Sequence, residues 1–109
     1  MRIDIMQLEF IDRKLRRMAT WAEDQTGLEF TLTSQFRIND PGVHGQLPLR
    51  GIDWRMRNKA VGNAIVDLIN AEWKYDSSRP HLRCAKLHNT GQGLHIHLQV
   101  HQKTTGALR

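Results

Sequence analysis

The most regular alternation in the chain spans residues 93–101. Leu94, Ile96, Leu98 and Val100 fall on one side of a β-strand, and His95, His97, Gln99 and His101 on the other. The apolar side suits burial against helices. The other side presents imidazoles ~7 Å apart, in a sheet stiff enough to fix their direction. Upstream the period changes. Leu8, Ile11, Leu15, Met18 and Ala22 recur at three- and four-residue spacing and predict a helix over 5–25, ended by Gly27. Residues 28–33 alternate again and predict a strand. A second strand is expected over 51–56 and a second helix over about 59–75, with Asn58 as its cap and Val61, Ile65, Ile69 and Trp73 on one ridge. Residues 76–80 read as a turn, 82–87 as a third strand and 88–93 as a hairpin loop leading into the histidine strand.

These elements predict an α+β fold, a small antiparallel sheet packed against two helices. At 109 residues the chain is expected to form a single domain, 1–109, with 102–109 a frayed tail. Residues 34–50, with Pro41, Gly42, Gly45 and Pro48, form a long loop, a feature that in a compact domain is usually functional. No apolar run approaches the roughly 18 residues needed to cross a bilayer, and the first residues carry no apolar signal region. The expectation is a protein without a signal peptide, cytoplasmic when made. The lone Cys84 excludes an internal disulfide, and there is no Cys-x-x-Cys.

Charge adds a partner class. Sixteen Lys and Arg against eleven Asp and Glu give a net charge of +5, which favours polyanions such as nucleic acid or an anionic cell wall. Arg13, Lys14, Arg16 and Arg17 form one cluster, and Arg50, Arg55, Arg57 and Lys59 another. A nucleic-acid role rests on charge alone. The chain lacks an aromatic-rich strand of the RNA-recognition type, so nucleic acid is a minor expectation.

Three residues offer a metal centre. His44 lies in the long loop, Asp53 at the end of the second strand and His97 centrally in the last. A zinc site in a hydrolase needs three protein ligands and an open position for water, and a His₂Asp set meets that need. The plainer readings are a polar strand face for His95 and His97, an ion pair of Asp53 with Arg50 or Arg55, and surface or turn positions for His81 and His88. His88 could also reach the site from the hairpin. The three tryptophans read as core or rim.

Three motifs carry a family resemblance across residues 28–101. They are Thr33-Ser34-Gln35-Phe36-Arg37, the run from Val43-His44-Gly45 to Arg50-Gly51-Ile52-Asp53, and Leu94-His95-Ile96-His97. In this order they resemble the zinc D-Ala-D-Ala carboxypeptidases and phage L-alanyl-D-glutamate endopeptidases, which share the hedgehog/DD-peptidase fold. The resemblance implies zinc held by His44, Asp53 and His97. It implies Arg37 on a substrate carboxylate or oxyanion, a task suited to a bidentate guanidinium, with Ser34 supporting that strand end. It further implies hydrolysis of short peptidoglycan peptides by a protein encoded by a phage or prophage, released at lysis or carried in the virion. His44 and Asp53 stand nine positions apart, two more than is common in the family. The family's catalytic carboxylate usually lies three residues before the metal histidine, where this chain has Leu94 before His97 and Gln92 before His95. The proton-carrying role then passes to His95, with His88 and Asp40 next in line. A catalytically silent, metal-binding member of the same fold, serving as an interaction or virion component, is the alternative.

Overall fold

The computed structural model describes residues 11–29, 31–34, 50–89 and 93–106, with side chains of 32–34 excepted. It is an α+β arrangement in the order α1 (Arg13–Thr26), β1 (Leu32–Ser34), β2 (Gly51–Met56), α2 (Lys59–Glu72), β3 (Ala85–Asn89), β4 (Leu94–Gln99). The four strands form one antiparallel sheet in the spatial order β1-β2-β4-β3. β2 spans the residues that the alternation predicts, and β4 lies within the histidine run.

The expected helix over 5–25 starts later. Asp12 is the N-cap, its carboxylate accepting from the backbone N–H groups of Lys14 and Leu15 at 2.8 and 3.4 Å. A capping carboxylate satisfies two amides that a helix start leaves unpaired, so the helix begins at Arg13. Residues 1–10 lie outside the described residues. The C-terminus is where the sequence puts it. Gly27 takes the left-handed conformation (φ 69°), and its N–H closes on the Glu23 carbonyl at 2.8 Å. Asn58 caps α2 through Val61 N–H at 3.1 Å.

Both helices pack on one face of the sheet. Leu15, Met18, Ala19 and Ala22 of α1 and Ile65, Val66 and Ile69 of α2 share a single core with Ile52, Trp54, Ile96 and Leu98. Fully burying one such aliphatic side chain contributes about 1.5–3 kcal/mol. Val61, expected on the buried ridge, is exposed; the inward ridge instead runs through Gly62, Ile65, Val66 and Ile69. Trp54 and Trp73 are core residues, and Trp21 packs edge-on against Trp73 with centroids 6.1 Å apart.

Two strands are displaced from their sequence positions. β1 is shorter and later than 28–33, and β3 begins at Ala85 rather than Leu82 and runs through His88 to Asn89. Residues 102–106 do not fray. Lys74 and Thr105 exchange backbone hydrogen bonds at 2.8 and 3.0 Å. Buried Thr104 donates its hydroxyl to the Tyr75 carbonyl at 2.8 Å and accepts from His101 N–H at 2.8 Å. A Cβ on Gly106 would lie 2.1 Å from the Trp73 ring, so only glycine lets the backbone pass there. The remaining three residues, 107–109, lie outside the described residues.

Candidate functional site

The strand alternation sends Ile52, Trp54, Leu87, Ile96 and Leu98 toward the helices. It leaves Asp53, Arg55, Lys86, His88, His95 and His97 on the opposite face. Register then decides which of these meet. Asp53 pairs with His97 and Arg55 with His95 across β2 and β4. Lys86 pairs with His97 and His88 with His95 across β3 and β4. Two adjacent rows result. One is Ser34–Asp53–His97–Lys86, extended to β1 by the Ser34–Asp53 pairing, and the other is Arg55–His95–His88.

Asp53 and His97 are in direct contact, with Oδ1 2.9 Å from Nδ1. Asp53 and His95 are each only 9% exposed, whereas Arg55, Lys86 and His88 are exposed. A carboxylate this sheltered needs a charged or hydrogen-bonding partner, and β4 supplies one. An ionised carboxylate only accepts, so in this contact Nδ1 of the imidazole carries a proton, which would have to leave for Nδ1 to ligate a metal. His88 completes the cluster. Its ring centroid is 6.1 Å from that of His95 and 6.2 Å from that of His97.

The fit to a metal can be tested on the donor atoms. Two ligands ~2.0–2.1 Å from a tetrahedral zinc stand roughly 3.4 Å apart. The Asp53 and His97 atoms, at 2.9 Å, need to open by only about half an ångström. Among the described residues no group of three His, Cys, Asp or Glu side chains is placed to hold a metal ion. The third expected ligand, His44, lies outside the described residues, as do Arg37, Asp40 and Gln92. Ser34 is placed by its backbone beside Asp53. Cys84 is buried on the core side with its thiol pushed up to about 12 by burial, so it is no thiolate donor. His81 is exposed beyond the turn, as its sequence position suggests.

The sequence reading did not place His88, Arg55 and Lys86 together. Each is an ordinary surface residue when taken alone. The signal that unites them is the β3–β4 register, which follows once His88 is assigned to the strand instead of the hairpin. Comparison with family models, with curated proteins and with solved structures finds no match to this chain. No helix among the described residues is long and apolar enough to cross a membrane.

Proposed function

We propose that the chain is a zinc-dependent peptidase acting on short peptides of bacterial peptidoglycan, built on a hedgehog/DD-peptidase-like fold and encoded by a phage or prophage. The observation that carries this reading is the β2–β4 register, which sets Asp53 against His97 with their donor atoms 2.9 Å apart. Asp53, His97 and His44 would hold the metal. Bound there, zinc would polarise the scissile carbonyl and lower the pKa of its water to about 7.

The remaining roles belong to side chains. Arg37 binds the peptide's carboxylate or carbonyl oxygen, and Ser34 supports the strand end. Arg55, registered against His95, adds a second guanidinium on the described face. His95 stands next to His97 on the same face and is sheltered, so it takes the proton from the attacking water and returns it to the leaving amine. His88, exposed and close to both rings, exchanges protons between His95 and solvent between turnovers, outside the transfer to the amine.

The row order argues against a serine hydrolase. Asp53 stands between Ser34 and His97, which puts those two residues two strands, or about 9.6 Å, apart. A serine nucleophile needs the imidazole, not the carboxylate, as its neighbour.

The second reading is a catalytically silent metal-binding member of the same fold, used as an interaction or virion component. It is favoured by one observation: on the two described rows, Asp53 is the only carboxylate, and it is taken up by His97. Metal analysis of protein purified without chelator, followed by mass spectrometry of peptidoglycan fragments, tests both. Stoichiometric zinc with cleavage is the expected result. Zinc without cleavage selects the silent member, and absence of bound zinc in protein refolded with excess metal overturns both.

A further inference from the structure

The cluster Arg13, Lys14, Arg16 and Arg17 is not used by the site described above. It fills four of the first five positions of α1, and the first turn holds no acidic residue. That is the positive end of the helix dipole, where cations are disfavoured. Arg13 and Arg17 also stand four apart, a like-charge spacing that opposes the helix. Both are exposed, and among the described residues no carboxylate forms an ion pair with either. The local sequence therefore works against the element it builds, the mark of a segment kept for something other than folding.

The surroundings make this a shaped surface. One hollow of about 400 Å³ is lined by Asp12, Arg13, Lys14, Arg17, His101 and Gln102. A second, of about 300 Å³, shares Lys14 and Arg17 and is bounded by Trp73 and residues 104–106. Lys14 fixes the two against each other, donating its Nζ to the carbonyls of Gln102 and Thr104. His101 Nδ1 accepts from Lys103 N–H at 3.2 Å, which leaves Nε2 as the protonated, donating nitrogen of the neutral ring. Exposed Lys103 adds a further cation. Among the described residues Asp12 is the one acid lining these hollows, and its carboxylate is spent on the helix cap.

We propose that this surface binds a phosphodiester-linked polyol polymer of the bacterial wall, holding the protein on its substrate. The choice of polymer rests on the peptidase reading above. α1 packs on the core face of the sheet, whereas Asp53 and His97 lie on the other, so the bound polymer leaves the site open. The other polyanion sources fit less well. Of the rings lining the hollows among the described residues, Trp73 is buried and His101 is half-buried with its ring against Tyr75, centroids 5.7 Å apart, which leaves little open face for stacking bases. The exposed large apolar residues among the described ones, Leu28 and Val61, lie outside both hollows and give a bilayer nothing to take up.

The test measures sedimentation of the full chain with sacculi that carry poly(glycerol phosphate), and with the same sacculi stripped of it by hydrofluoric acid. Binding at least tenfold weaker to stripped walls is expected, as is a similar loss for Arg13→Gln/Arg17→Gln on intact walls and steep weakening with salt. The double variant should melt no lower than the wild type, since it relieves repulsion, and should cleave soluble wall peptides unchanged. Equal binding to stripped walls overturns the proposal, as does a double variant that binds normally. Tighter binding to duplex DNA or to anionic vesicles than to the purified polymer also overturns it. Binding is read without turnover, so polymer capture by a chain that cleaves nothing would remove the peptidase reading and leave this surface standing.

Discussion

Asp53 and His97, 44 positions apart in sequence, face each other across β2 and β4 with carboxylate and imidazole 2.9 Å apart. The contact is set by backbone register, so neither side chain has to search for the other. Stiff neighbouring strands hold both, with Ile52 and Trp54 on one and Ile96 and Leu98 on the other locked in the core. A pair preorganised in this way can bind a cation with little loss of side-chain entropy.

The first prediction concerns that pair. If both side chains ligate zinc, Asp53→Asn and His97→Ala should each bind far less than one zinc per chain by metal analysis, and both should lose hydrolysis. If Asp53 only orients the His97 ring, Asp53→Asn should lower metal affinity by about 10–100-fold and still load at saturating zinc. Chelation of the wild type should abolish hydrolysis, and added zinc should restore it. Full activity in a chelator-treated, metal-free sample would remove zinc from the reaction.

His95 and His88 separate in a second measurement. His95→Ala should retain zinc and lose hydrolysis by about 10²–10⁴-fold, the range typical of general acid–base groups. His88→Gln should retain zinc and lose less, because an exposed relay can be bypassed by solvent. Loss of zinc in His95→Ala would make it a ligand and transfer the proton to another group.

Much of the scaffold was readable from local pattern because local physics sets it. The alternation in β4, the strand 51–56, the Gly27 stop and the Asn58 cap depend on neighbours a few residues away. The misplaced features depend on distant ones. Leu82 and Cys84 are as strand-prone as Leu87, and only pairing with β4 decides that β3 spans Ala85–Asn89. That shift moves His88 from a loop to the ring cluster. Residues 102–106 look like a polar tail until Lys74, Tyr75 and Trp73 provide their partners. Of the expected zinc ligands, the sheet register joins Asp53 and His97. His44 and Arg37 fall in the 34–50 segment, of which residues 35–49 lie outside the described residues.

The exposed edge of β3 gives a third prediction. Asn70 of α2 donates its amide to the Ala85 carbonyl at 2.9 Å and accepts from Ala85 N–H at 3.0 Å. One side chain thus imitates a neighbouring strand and covers part of an edge that could otherwise pair with another chain. Asn70→Ala should cost about 1–3 kcal/mol through the two unpaired backbone groups, partly offset by better helix propensity. The urea midpoint should fall by about 1 M at constant slope. Asn70→Asp should be worse near neutral pH, because it loses the donor and turns a carboxylate toward a carbonyl. A midpoint unchanged in both variants would show that water satisfies this edge equally well.

A final prediction follows from the turn after α2. The buried Asp76 carboxylate accepts the Ser78 hydroxyl at 2.7 Å, the Ser78 N–H at 3.0 Å and the Arg79 Nε–H at 2.9 Å. The Ser78 hydroxyl first, then the Arg79 guanidinium, hold its carboxyl well below the usual carboxylate range. The folded state thus favours the ionised form more than the unfolded chain does. The resulting stabilisation is fully present above the unfolded value of about 4, and is lost as pH falls from there toward the lower folded value. The urea midpoint of the wild type should therefore exceed that of Asp76→Asn by a constant margin between pH 5 and 8. The margin should shrink steadily below about pH 4, and Ser78→Ala should reduce it at every pH. A margin near zero between pH 5 and 8 would mean that the turn is held by its backbone bond from Arg79 N–H to the carbonyl of residue 76, which Asp76→Asn keeps, and not by the ionised carboxylate.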